Sequence, residues 1–134
     1  MPQGKIAITT SGSMQFIDIT ARIEQVISRE KINEGLCCLF NPHTTAGLTI
    51  NEGADPTVKD DILAALQKIT PHLPYKHLEG NSPAHIMASL MGSSLTVLIA
   101  DQSLVLGTWQ KIFFCEFDGP RSRSIHWRIL PAAL

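Results

Sequence analysis

Charge is scarce in this chain, and what there is nearly cancels. Charged residues are 17% of the 134 positions and the formal net charge is -1. Such a chain has no field with which to gather phosphate backbones or anionic lipid, which argues against nucleic-acid and membrane-surface roles. Cysteine is also sparse. Cys37, Cys38 and Cys115 are odd in number, with two adjacent in an apolar run, so they make no disulfide framework. No apolar stretch approaches the ~20 residues that a membrane-spanning helix needs. With no charged-then-apolar leader either, the expectation is a cytoplasmic protein. Internal repeats and low-complexity linkers are missing too.

Apolar surface is plentiful. Hydrophobic residues make up 44% of the chain, above the globular average, and such a surplus is often spent on a subunit interface. The length suits one domain, 1–134, with a core that needs no staples.

Alternating patterns at Lys5–Thr9 and Met14–Ile17 flank the turn signal Thr10-Ser11-Gly12-Ser13 and predict a β-hairpin. Ile19, Ile23, Val26 and Ile27 mark one face of a first helix, with Asp18 and Thr20 as candidate caps and Gly35 beyond its end. Leu36-Cys37-Cys38-Leu39-Phe40 is apolar at every position and predicts a strand covered on both faces. A short strand at Leu48–Ile50 follows.

Asp55 and Pro56 cap a second helix with Val58, Ile62, Leu63, Leu66 and Ile69 on one face, ended by Pro71 and Pro74. Ser82 and Pro83 open a third, short helix to about Met91. Strands at Leu95–Ala100, Trp109–Glu116 and Ser124–Leu130 finish the chain, the first two joined through Asp101-Gln102-Ser103. The sum is about seven strands and three helices, an α+β fold with a largely antiparallel sheet or sandwich.

Three histidines stand at loop junctions. His77 and His85 bracket Glu79-Gly80-Asn81-Ser82-Pro83, and His43 opens His43-Thr44-Thr45-Ala46-Gly47. Three imidazoles fill three corners of a zinc tetrahedron and leave the fourth for water or substrate. Glu52, Asp55 and Glu79 are candidate partners for their second ring nitrogens. His72 and His126 suit surface or sheet positions.

The strings His43-Thr-Thr-Ala-Gly-Leu-Thr-Ile-Asn-Glu52, Glu79-Gly-Asn-Ser-Pro-Ala-His85, Leu90-Met-Gly-Ser-Ser94, Leu106-Gly-Thr-Trp-Gln110 and Cys115-Glu-Phe-Asp-Gly-Pro-Arg121 resemble the YjbQ-type family, in order, from about Lys5 to Ile129. Some members of that family are labelled secondary thiamine-phosphate synthases. The resemblance implies an α+β fold, a homotrimer and a histidine pocket for zinc or another divalent ion. The label implies joining a pyrimidine diphosphate to a thiazole phosphate with loss of pyrophosphate. Two positions depart from the commonest pattern: Gly53, where asparagine is frequent and a looser Glu52 loop is expected, and Gln102, where a turn glycine is frequent.

A phosphorylated small molecule needs cationic and backbone donors. Arg121 and Arg123 can clamp phosphate oxygens, and the helix start at Asn81 and Ser82 supplies free N–H groups, less the one that Pro83 lacks. Thr44, Thr45 and Asn51 can orient water or substrate. Cys115 is a nucleophile only beside cationic groups; inside an apolar strand it is packing. Glu116 faces away from Cys115 and, with Glu52, is the candidate base. Trp109 covers the pocket or packs at an interface. The leading expectation is therefore a phosphate-handling transferase. The alternatives are a metal-assisted hydrolase of a phosphate ester, with Glu52 or Glu116 activating water, and a non-catalytic protein that binds metal or a metabolite.

Overall fold

The computed structural model describes residues 1–132, and among them lie eight strands and three helices. In chain order these are β1 (Gln3–Thr9), β2 (Gln15–Asp18), α1 (Thr20–Glu30), β3 (Gly35–Phe40), β4 (Ala46–Glu52), α2 (Pro56–Ile69), α3 (Ser82–Met91), β5 (Ser94–Ala100), β6 (Ser103–Leu104), β7 (Gln110–Glu116) and β8 (Ser122–Pro131). They form two antiparallel sheets, β1-β8-β3-β5-β6 and β2-β7-β4. The expected α+β class is the one found.

Two apolar layers follow from strand alternation. The inner face of the five-stranded sheet meets α1 and one face of the three-stranded sheet around Ile8, Ile27, Leu39, Ile125 and Phe114. The other face of the three-stranded sheet buries Phe16, Phe113 and Cys115 under Leu66 of α2 and Ala84 and Met87 of α3. The strand covered on both faces is thus β7, buried without interruption from Ile112 to Glu116. The reading of β3 as doubly covered does not hold: Cys37 and Leu39 point inward, while Leu36 and Phe40 are exposed.

The predicted hairpin of β1 with β2 is also corrected, because β1 pairs with β8 and β2 with β7, in different sheets. The chain crosses between sheets at Thr10-Ser11-Gly12-Ser13 and again after β7. The two corners lie side by side, with Thr10 N–H donating to the Arg121 carbonyl (3.0 Å) and Gly119 N–H to that of Ser13 (3.0 Å). The real hairpin joins β5 to β6, the strand not foreseen, through Asp101 and Gln102, both at positive φ (51° and 60°). That conformation favours glycine. Gln102 is tied there by its N–H and side-chain amide to the Asn33 carbonyl and Oδ1 (3.1 and 2.9 Å).

Helix starts differ in detail from expectation. Asp55 caps α2 as read, its carboxylate accepting from the Thr57 N–H (3.0 Å). α3 begins one residue early: Asn81 holds the cap position with no side-chain cap bond, and Ser82 is helical. Ile69, assigned to the buried face of α2, is exposed.

Candidate functional site

The paired corners, the end of β3 and the start of α3 enclose a polar cleft of about 460 Å³. Pro42, His43, Thr44, Thr45, His77, Glu79, Asn81, His85, Asp118, Arg121 and Arg123 line it. All three candidate histidines and both arginines therefore meet in one place, with Thr44 and Asn81. Larger hollows, of about 700 and 750 Å³, open on the five-stranded sheet and between α1 and residues 104–111. Neither combines arginine with more than one imidazole, so the smaller cleft is the candidate site.

His43 is placed by the failure of a β-ladder. Continuing the β3–β8 register past Phe40 and His126 brings Pro42 opposite Ser124, and proline has no N–H to offer there. The His43 ring takes over: its Nε2 lies 2.9 Å from the Ser124 carbonyl oxygen and 3.0 Å from the Ser124 nitrogen. Asn41 staples the preceding bend, accepting from the His43 N–H (3.1 Å) and donating to the carbonyls of His43 (3.2 Å) and Ala46 (2.7 Å). Burial and the neighbouring Arg123 cation hold the His43 pKa below its ordinary 6.5, against the opposing pull of Ser124 and Glu116.

His77 and His85 meet edge to face, with ring centroids 5.4 Å apart. Glu79 lies 3.9 Å from His77 Nε2. Glu52 and Asp55 are not partners of these rings. Glu52 ends β4, seven residues and about 20 Å from the cleft end at ~3.3 Å per residue, and its carboxylate accepts from the N–H of Ala54 (2.6 Å) and Asp55 (3.4 Å). Asn51 sits beside it, bonded to the Glu52 N–H (2.7 Å). The loop is held rather than loosened at Gly53, whose N–H donates to the Trp109 carbonyl (2.9 Å) and where a Cβ would lie 2.7 Å from Lys111 Cβ. Trp109 is exposed at this far end, so it does not cover the cleft within one chain.

Both arginines are braced on the same edge. Arg123 donates through Nε to Glu116 Oε1 (2.8 Å), through Nη2 to Glu116 Oε2, and through Nη2 to Thr45 Oγ1 (2.9 Å). Arg121 donates through Nε to the Asp118 carbonyl (2.7 Å) and through Nη2 to Asp118 Oδ2 (2.9 Å). Among the described residues neither Nη1 has a protein acceptor. Each guanidinium thus keeps a fixed, charged N–H₂ group for a ligand.

Glu116 is no free base. Its side chain is fully buried and also accepts from Thr10 Oγ1 (2.7 Å) and from the N–H of Phe117 (3.1 Å) and Asp118 (3.2 Å). Burial alone would raise its pKa; the bonds from Arg123, Thr10 and Asp118 N–H prevail and hold it below the ordinary carboxylate value. Asp118 is likewise held low by Asn81 and Arg121 despite desolvation. Cys115 is completely buried in the second core, and burial pushes its thiol far up, so it packs and does not attack. Ser82 is half-buried and outside the cleft lining. His72 and His126 are exposed, His126 on β8 beside Phe40.

Among the described residues no three His, Cys, Asp or Glu side chains lie together at metal-ligand spacing. His77 and His85 are in contact, but the Nε2 of His43 is occupied by Ser124. As they stand, these donors do not fit a three-ligand metal site.

Fold and cleft together define a small α+β protein with an arginine- and histidine-lined cleft. The chain belongs to the YjbQ-like UPF0047 family, whose model matches residues 4–132. It is 49% identical over 127 residues to a UPF0047 protein of Methanocaldococcus jannaschii, covering 94% of this chain and 92% of that one. The UPF0047 protein YugU of Bacillus subtilis is 42% identical, with 93% and 96% covered. A YjbQ/UPF0047 crystal structure from Clostridium acetobutylicum is 50% identical with TM-score 0.91, covering 94% of this chain and 98% of that one. A hypothetical protein of Aeropyrum pernix is 34% identical with TM-score 0.92, covering 98% and 100%.

Proposed function

We propose that the cleft binds a small phosphorylated metabolite and that the protein acts on it as a transferase of the thiamine-phosphate synthase kind. The observation that carries this reading is the pair of braced guanidiniums, each with Nη1 free of a protein acceptor among the described residues, in a cleft that three imidazoles also line. Two anchored N–H₂ groups suit the adjacent oxygens of a diphosphate. In the proposed step the bond from the pyrimidine methylene carbon to the diphosphate oxygen breaks. Pyrophosphate leaves with the electron pair, and the thiazole nitrogen lone pair forms the new C–N bond. The developing charge on the leaving group is what Arg121 and Arg123 stabilise. Little proton transfer is required, which suits a site whose two arginine-paired carboxylates, Glu116 and Asp118, are both engaged. A hydrolase would need a free carboxylate base near the cleft. Glu116 is saturated and Glu52 lies at the other end of β4, which leaves only the exposed Glu79 for that role; the transferase, which needs no base, is preferred on the two braced guanidiniums.

Charge bookkeeping sharpens the requirement. Arg123 is offset by Glu116 and Arg121 by Asp118, so a ligand's charge is met by oriented N–H donors rather than by a net positive field. Pyrophosphate titrated into the protein by calorimetry tests the site. Binding that weakens at least tenfold in Arg121→Ala is expected; Arg121 is exposed, so the variant keeps its fold. Absent binding, or equal binding by the variant, overturns the anion reading. Binding without formation of thiamine phosphate from the pyrimidine and thiazole precursors leaves a metabolite-binding protein instead.

A divalent ion, zinc first, would have to draw His43 toward the His77–His85 pair. Metal analysis of wild type, His77→Ala and His85→Ala tests it, and equal metal content in all three rejects it. For assembly we propose a homotrimer joined through the exposed apolar face of the five-stranded sheet. No helix among the described residues is long and apolar enough to cross a membrane, and the three free cysteines favour the reducing cytoplasm.

A further inference from the structure

We propose that Asn81 and Asp118 divide a single binding site into two halves. The arginine cleft takes the phosphate, and a neighbouring apolar cleft takes a compact organic group that carries an N–H or O–H donor. This inference rests on the anion reading of the first cleft and adds the chemistry of what is attached to the anion.

The second cleft, about 510 Å³, is lined by Met14, Thr70, Pro83, Met87 and Phe117 among others, and it shares Asn81 and Asp118 with the first. Its floor belongs to the second core, since Met87 and Phe117 are both buried there beside Phe16 and Cys115. Either cleft alone is within the size range of small-molecule sites. One half holds the arginines and the other has an apolar floor with Ser13, Gln67, Thr70 and His72 also in its lining, a division that suits a phosphate ester with a small ring or short chain bearing polar groups.

Asn81 supplies the specific contact. Its Nδ2 donates to Asp118 Oδ2 (2.9 Å), and Asp118 holds Arg121 through that same oxygen. The amide cannot be reversed without setting its oxygen against a carboxylate, so its orientation is fixed by charge. The remaining atom, Oδ1, is buried with no hydrogen-bond partner, the one such side-chain atom among the described residues. A buried acceptor left unmet is costly, and a ligand donor that meets it recovers that cost on binding. Asn81 thereby links recognition of the organic group to the posture of Arg121 in the anion half.

Calorimetric titration of the intact protein with inorganic phosphate, phenyl phosphate and aminophenyl phosphates tests the division. The expected order is aminophenyl phosphates tightest, then phenyl phosphate, then phosphate, with each step at least fivefold. Gln67→Trp, an exposed position on the rim of the second cleft, should erase the gain from the ring and leave phosphate binding unchanged. Asn81→Ala should erase the amino preference while phenyl phosphate still binds more tightly than phosphate. If phosphate binds and the ring adds nothing, or if both variants keep the full gain, the two-half site is wrong and the anion site survives. If phosphate itself does not bind, the anion reading falls and this inference with it.

Discussion

Arg123 and Glu116 face each other as a buried ion pair beneath the cleft, with Thr10 and Thr45 closing the remaining hydrogen bonds. The pair is a floor, and the same bonds that satisfy it fix the direction of the free Arg123 Nη1.

Removing one member should therefore cost far more than removing both. Glu116→Ala leaves a buried guanidinium unpaired, for which a loss of about 3–5 kcal/mol is expected, a large share of the ~5–15 kcal/mol that holds a domain together. Urea denaturation of Glu116→Ala, Arg123→Ala and the double variant measures this as a cycle. A double variant as costly as the sum of the singles would show that the two side chains act independently.

His43 gives a pH dependence of definite sign. Its pKa in the folded state lies below the ordinary 6.5, so the unfolded chain takes up the proton first. Its contribution to stability is complete above about pH 6.5 and is lost as pH falls from there through the lower folded value. Thermal unfolding between pH 7.5 and 5.5 should show a decline that is shallower in His43→Gln. Glu116, also held low, adds its own decline only below its ordinary 4.5. Parallel pH curves for the two proteins would rule out a role for His43 in the upper window.

The corner after β7 has no room for a side chain at Gly119. A Cβ there would press on the Gly12 carbonyl oxygen and lie 2.8 Å from Glu116 Cγ and 2.9 Å from Thr10 Oγ1, the side chain that pairs with Arg123 and the hydroxyl that bonds its carboxylate. Gly119→Ala should lower stability by about 1–3 kcal/mol, the usual scale for overpacking, and weaken pyrophosphate binding in step. Unchanged denaturation and affinity would mean that the corner yields without disturbing the pair.

Much of this was legible in the sequence, for reasons that differ from residue to residue. Helix α1 follows from periodicity, although Ile19 and not Asp18 or Thr20 holds its cap position, and α2 follows from periodicity and its Asp55 cap; the histidines were placed at loop ends by the turn residues around them. The cleft's support was not legible. Thr10 reaches Glu116 across 106 residues and His43 reaches Ser124 across 81, and no local pattern encodes such contacts. β3 misled because an apolar run looks the same whether its second face meets a core or lies open; β7, with charged Glu116 at its end, was the strand enclosed on both sides. The β1–β2 turn was a real turn signal, but it marks a change of sheet.

The open face of β3 leads to the last prediction. Leu98, Leu36 and Leu130 are in register across β5, β3 and β8, and they are 58%, 37% and 39% exposed, with Phe40 at 50% on the same side. A continuous apolar row at the centre of a sheet is costly to leave in water and is the surface that the surplus of hydrophobic residues creates. Light scattering after size exclusion should find a trimer for the wild type. Leu98→Asp, at a position exposed on the outer face of the sheet, should fold with little change in unfolding temperature yet elute as a monomer. A Leu98→Asp protein that remains trimeric would place the interface elsewhere.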